Sequence, residues 1–273
     1  MADFDTPVIP SATSIVIHSG NIINWNRLKR KTTRSPAEEL NVSLVATLNS
    51  WLKHVDRDHV RNLQSVACFD TKYIDKIPSE ERDSLKVTVK LFACNIEPEM
   101  MRQALDRVCS ELDVNKVDLL LLSMPERPLE EDLTVDHFKP VWEVLENLVD
   151  EGKIETLGVS DLDKTMLEEL HDWARIKPSI NQVNLQVCCQ MPPDLTEYAK
   201  EKEIQLLTHS DPKDILPPKV FRDLMSDTCH PEDGMNWYPS WSLRYSALVK
   251  CRGIIKMKGY IARAQRLSQQ EIF

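Results

Sequence analysis

Residues 117–122 read Val-Asp-Leu-Leu-Leu-Leu. A strand with one wet face alternates apolar and polar residues, so four successive leucines demand cover on both faces. That is the mark of a parallel strand held between layers of helix. The neighbouring segments can supply the cover. Upstream, residues 98–112 place Met101, Leu105, Val108 and Leu112 at steps of four and three. Downstream, residues 134–150 set Phe138, Val141, Trp142, Leu145 and Leu148 on one helical face. Strand and helix in alternation define an α/β chain.

The alternation continues in both directions. Apolar runs at 15–18, 66–69, 86–92, 156–159, 180–185, 204–208 and 253–256 read as further strands. A helix starts at Ser35, whose Ser-Pro-Ala-Glu gives an N-cap, a proline at the first position and an acid at the third, with Leu40, Leu44, Leu48, Trp51 and Leu52 as its stripe. Asp163 caps another helix that buries Leu167, Leu170 and Trp173. Residues 241–250 read as helical, and Asp211–Tyr238 as a long irregular loop rich in Pro, Asp and Gly. Eight strands in this order predict a (β/α)₈ TIM barrel as a single domain over residues 1–273, with residues 1–13 flexible; an open, doubly wound sheet is the alternative. Barrels carry function at the C-terminal ends of their strands. Lys90, Ser123, Ser160, His209 and Lys256 fall there.

Charge and composition exclude several classes. A net charge of −9 argues against nucleic acid or an anionic membrane surface as the main partner, since both need a basic face. The first twenty residues lack the basic and apolar regions of a signal peptide, and no run approaches the length of a membrane span, so a cytoplasmic location is expected. Seven cysteines, an odd number at irregular spacing, read as reduced thiols rather than a disulfide framework. No His/Cys spacing suggests a metal site. There is no G-x-G-x-x-G and no P-loop.

The wording of several segments is more specific. Residues 142–185 (WEVLENLVDEGKIETLGVSDLDKTMLEELHDWARIKPSINQVNL), 104–122 (ALDRVCSELDVNKVDLLLL) and 243–255 (LRYSALVKCRGII) resemble the aldo-keto reductases in order and content. More narrowly, HSGNIINWNRLKRK (18–31), residues 158–200, IQLLTHSDPKDIL (204–216) and RYSALVKCRGIIKMKGYI (244–261) resemble the family of regulatory, or modifier, subunits of glutamate–cysteine ligase. The first resemblance implies the reductase barrel, here with a shortened second helix and a truncated C-terminus. The second implies a non-catalytic chain that forms a cytosolic heterodimer with the ligase catalytic subunit in glutathione synthesis. There it improves substrate use and weakens feedback inhibition by glutathione.

Carbonyl reduction needs a proton donor beside an oxygen that turns negative as hydride arrives. The resemblance puts the family's lysine at Lys90. Its histidine position is Ser123, in LLLLSMPE. Asp70 matches the aspartate, but five residues on the tyrosine is replaced by Asp75, and Tyr73 is off-register. A carboxylate cannot stand in for a phenol at neutral pH. No catalytic residue is therefore expected; Lys90 is a remnant paired with a carboxylate. A divergent NADPH-dependent reductase is the alternative, and a free-standing NADP(H) or thiol redox sensor a third reading.

The resemblance also carries Ser160, Asp161 and Gln182 onto positions that grip a nicotinamide carboxamide, His209 onto the ring that stacks on it, and Lys256 and Lys258 toward a 2′-phosphate. No cofactor is expected to be required, with NADP(H) binding without turnover left open. Cys188 and Cys189 are adjacent, and Cα atoms about 3.8 Å apart sit below the disulfide window of roughly 4.4–6.8 Å. A redox bridge from either would run to the partner; packed free thiols are the alternative. Trp237, Tyr238 and Trp241 read as satellite core or partner interface, leaning to interface. The basic run 26–34 could meet an acidic patch on a partner.

Overall fold

The computed structural model describes residues 7–25, 35–125, 132–184 and 190–266. In chain order the elements are β1 (Ser14–His18), α1 (Pro36–His54), α2 (Arg57–Val60), β2 (Ser65–Phe69), β3 (Leu85–Ala93), α3 (Pro98–Leu112) and β4 (Val117–Ser123). There follow α4 (Val135–Asp150), β5 (Ile154–Ser160), α5 (Lys164–Trp173), β6 (Ile180–Asn184), α6 (Pro193–Glu201) and β7 (Gln205–His209). The chain closes with α7 (Pro218–Thr228), α8 (Pro231–Gly234), β8 (Trp237–Val249) and β9 (Ile254–Arg266). Between β2 and β3 stand only two 3-10 turns, Thr71–Tyr73 and Ser79–Ser84, in the place of the shortened second helix. The fold class is α/β, as the sequence implies.

Two compact units divide the chain. The first comprises Met1–Asp75, Ile215–Ser242 and Lys258–Phe273; the second, Lys76–Asp214 and Leu243–Met257. In the first unit β1 pairs parallel with β2 and antiparallel with β9, His18 lying opposite Phe69 and Ile261. Ser35 caps α1 by accepting a 3.2 Å bond from the Glu38 amide. Leu40, Leu44 and Leu48 are wholly buried, each contributing about 2 kcal/mol of transfer free energy. Phe221 and Met225 of α7 and Trp237, Trp241 and Tyr260 of the long strands complete that core.

In the second unit β3 to β7 run parallel in sequence order. Every residue of β4 is buried, which is what its leucine run requires between β3 and β5. Strand β5 crosses at Gly158, where a Cβ would meet Leu121 Cδ2 at 2.6 Å and Ile180 O at 2.9 Å.

The C-terminal third departs from the sequence reading. Residues 241–250, expected as helix, belong to strand β8, and residues 253–256, expected as the eighth barrel strand, form a turn at Gly253 and the start of β9. Antiparallel β8 follows the period-two pattern of Trp241, Leu243, Tyr245 and Ala247, all buried, against half-buried Arg244, Ser246 and Leu248. β8 lies next to β3 in the second unit, and β9 next to β1 in the first. The loop expected over Asp211–Tyr238 holds α7 and α8, with Phe221, Leu224 and Met225 facing inward. Residues 7–13, expected to be flexible, bury Val8, Ile9 and Ala12. Trp173, expected in the core, is 38% exposed, with Lys139 Nζ 5.8 Å from its ring centroid.

Candidate functional site

Register places the site. Phe92 lies opposite Ser123, Leu122 opposite Val159, Ser160 opposite Gln182, and Asn184 opposite His209. Successive parallel strands therefore deliver their C-terminal polar residues to one level, as the barrel argument requires.

Lys90 of β3 is the centre. Its side chain is 3% exposed, and its ammonium reaches Asp211 Oδ2 at 2.8 Å, Ser160 Oγ at 2.9 Å and Gln182 Oε1 at 2.9 Å. An ammonium has three donors, and here each has a partner. Burial pulls the Lys90 pKa down, and Asp211 opposes that pull without overcoming it. Asp211 in turn accepts both guanidinium arms of Arg244, at 2.5 and 2.9 Å. Burial would raise the Asp211 carboxyl, but hydrogen bonds to His209 and Arg244 and the charges of Arg244 and Lys90 hold it far below the usual carboxylate range. Lys90 and Arg244 also lie 5.3 and 5.8 Å from the centroid of the Phe92 ring.

His209 ties the second carboxylate in. Its Nε2 lies 3.0 Å from Asp161 Oδ1 and 3.2 Å from Ser160 Oγ, and its Nδ1 lies 3.1 Å from the Asp211 amide. Burial alone would lower the imidazole pKa; the hydrogen bonds to Asp161 and Asp211 reverse that and raise it. Asp161 adopts a left-handed φ of 61°, a conformation aspartate tolerates. This turns its Oδ1 to accept the Asn184 amide at 2.9 Å. Burial pushes the Asp161 pKa up, and His209 with the Asn184 amide brings it down overall.

Of the residues singled out in the sequence, Lys90, Ser160, Asp161, Gln182 and His209 come together here. Ser123, Ser160 and Asp161 also line an adjoining cavity of about 360 Å³, with Met124, Met166 and Lys213 in its wall. Lys256 pairs instead with Glu81, and Lys258 with Glu39, which also accepts the Tyr260 hydroxyl at 2.7 Å. Asp75 accepts the amides of Asn21 and Asn24 at 2.8 and 2.9 Å. The sequence reading missed Asp211 and Arg244. The first stands two residues beyond His209, where a strand-end signal could have found it; the second was hidden by the helical reading of its segment.

The aromatic interface expected at Trp237 and Trp241 is corrected: both side chains are buried, at 0% and 1% exposure, because period two turns them inward on β8. Cys188, Cys189 and the basic run 26–34 lie outside the described residues. Among the described residues no His/Cys/Asp/Glu group could hold a metal, and no helix is long and apolar enough to cross a membrane.

The nicotinamide positions do not fit that ring as they stand. Ser160 and Gln182 both accept from Lys90, and the His209 side chain is 5% exposed with both nitrogens engaged, leaving no open face for stacking. Chemically, the arrangement is a neutralised, mutually satisfied network rather than a poised acid or base.

The aldo/keto reductase family matches residues 70–211. The chain is 43% identical to the glutamate–cysteine ligase regulatory subunit of Mus musculus over 263 residues, 95% of each chain. Identity to the same subunit of Homo sapiens is also 43% over 263 residues, 95% of each. The NADPH-dependent D-xylose reductase of Meyerozyma guilliermondii is 31% identical over 147 residues, 47% of this chain and 46% of that one.

Proposed function

Because the chain belongs to the family of glutamate–cysteine ligase regulatory subunits, built on an aldo/keto reductase domain, we propose that it binds the ligase catalytic subunit as a non-catalytic, cytosolic partner. Binding would improve substrate use and relieve feedback inhibition by glutathione. The observation that carries this reading is the state of Lys90. The lysine that would tune a proton donor is committed to Asp211, Ser160 and Gln182, and the tyrosine position is an aspartate, Asp75, hydrogen-bonded to two asparagines. With its Oδ2 accepting from both asparagine amides, Asp75 offers no phenol hydroxyl to a reacting oxygen.

The regulatory effect is linkage: the chain must bind the active form of the catalytic subunit more tightly than the inhibited one. A tenfold relief of inhibition needs about 1.4 kcal/mol of coupling, within reach of an interface of roughly 1,600 Å². ATP, magnesium, glutamate and cysteine chemistry would fall to the other subunit. The test is co-purification with the catalytic subunit, followed by glutathione inhibition curves with and without this chain. A stable complex with a right-shifted curve supports the reading; no complex and superimposed curves sink it.

A further inference from the structure

The β8–β9 hairpin ends in a tip that plays no part in the network around Lys90. Residues 250–258 read KCRGIIKMK, four cations and no acid on a chain of net charge −9. Residues 243–257 lie within the second unit. The turn is tight: the amides of Arg252 and Gly253 both donate to the Val249 carbonyl, at 3.2 and 2.8 Å, and Gly253 takes a φ of 64°. That left-handed position suits glycine, so the tip is set before any partner arrives.

Its two edges differ. On the β8 side, the Lys250 amide donates to the Ser84 carbonyl at 2.9 Å, and the Lys250 ammonium to the Asp83 carbonyl at 3.1 Å. On the β9 side the neighbouring strand is β1, whose register covers only Ile261–Gln265. Residues 254–257 therefore have no strand beyond them among the described residues. An uncovered strand edge presents unpaired N–H and C=O groups, a template for another strand.

The faces are open as well. Adjacent strand residues point to opposite faces, yet Ile254 and Ile255 are 56% and 46% exposed, so neither face of this end is covered. Lys256 is held by Glu81, but the Arg252 side chain makes no ion pair or hydrogen bond among the described residues.

We infer that this end of β9 is where the chain docks, taking up an extended segment of the ligase catalytic subunit, rich in apolar and acidic residues, as an added strand. The assignment rests on the regulatory reading above and deepens it by naming the surface. Main-chain pairing along residues 254–257 would supply affinity, the two isoleucines apolar contacts on alternate faces, and Arg252 the selection for Asp or Glu. A second copy of this chain fits less well, because edge-to-edge pairing would set its Arg252 and Lys256 against the same cations.

The test is biolayer interferometry of the full chain on the purified catalytic subunit, paired with hydrogen–deuterium exchange of the complex. In the complex, the amides of residues 254–257 should exchange at least tenfold more slowly than in the free chain. The double variant Ile254→Ser/Ile255→Ser and the single variant Arg252→Glu should each raise Kd about tenfold, with unchanged circular dichroism spectra. Met235→Ser, which removes a side chain 52% exposed in the first unit, should leave Kd unchanged. Unprotected amides at 254–257, wild-type affinity in both tip variants, or an equal loss with Met235→Ser overturns the assignment. So do tip variants that lose only self-association or binding to phosphatidylserine vesicles. If the wild-type chain binds the catalytic subunit and only the tip results fail, the regulatory reading stands; if the wild-type chain does not bind, both fall.

Discussion

Lys90 Nζ stands 2.8 Å from Asp211 Oδ2, with the two side chains 3% and 2% exposed. A buried pair gains little over a well-packed apolar one, but removing one partner strands the other charge out of water. Lys90→Met should therefore cost about 3 kcal/mol. Asp211→Asn should cost at least as much, because it also releases Arg244 and His209. The double variant should fall well short of the sum, since the two residues share one network. Urea denaturation of the four proteins measures this directly, and simple additivity would show that the pair is not coupled.

The same network sets a pH dependence. The folded-state pKa of His209 is raised, so its contribution is fully present below the ordinary imidazole value of about 6.5 and is lost as pH rises through the folded value. The folded-state pKa of Asp211 is lowered, so its contribution is present above the ordinary carboxylate value and disappears only in strong acid. Thermal stability should decline as the pH climbs above about 6.5, and His209→Gln should flatten that decline. A midpoint that rises over this range would contradict the charged pairing of His209 with Asp161.

Gly158 makes a steric prediction. Its β5 backbone runs so close to Leu121 and Ile180 that an added Cβ would come within 2.9 Å of a carbonyl oxygen and an apolar branch point. Gly158→Ala should destabilise by about 1–3 kcal/mol, whereas Gly152→Ala meets no atom within 4 Å and is strained only by its φ of 73°. Denaturant midpoints of the two variants separate packing from backbone conformation.

Much of this was legible beforehand, and the exceptions have physical causes. The leucine run of β4, the Ser35 and Asp163 caps and the α3 stripe fixed their elements through local periodicity and capping chemistry, and each stands where expected. Lys90, Ser160 and His209 were placed by strand ends, and Gln182 by the reductase resemblance. Arg244 and Asp211 could not be, because their bond joins residues 33 apart in the chain and depends on β8 lying beside β3. The period-two signal of Trp241, Leu243, Tyr245 and Ala247 was present, but the segment was read as helical.

Cofactor affinity discriminates between a satisfied network and an open site. To admit a nicotinamide, Ser160 and Gln182 would have to release Lys90, and His209 would have to expose a face. Calorimetric titration with NADPH should show no binding tighter than about 100 μM. In Lys90→Met the freed hydroxyl and amide should strengthen whatever binding exists. A low-micromolar Kd in the unaltered chain would show that the network opens readily and would favour the reductase alternative.

Trp237 tests whether the aromatic cluster belongs to the core or to a partner. Its ring is 0% exposed and packs beneath the Arg266 guanidinium, whose Cζ lies 4.8 Å from the ring centroid. Arg266 is itself fixed by Asp233 at 3.0 Å and by the Ile9 carbonyl at 2.8 Å. Trp237→Ala would open a cavity the size of an indole and should cost about 3–5 kcal/mol. Trp237→Phe, which refills most of it, should cost less and leave the affinity for the ligase catalytic subunit unchanged. A phenylalanine variant that folds with wild-type stability but binds the catalytic subunit tenfold more weakly would return Trp237 to the interface.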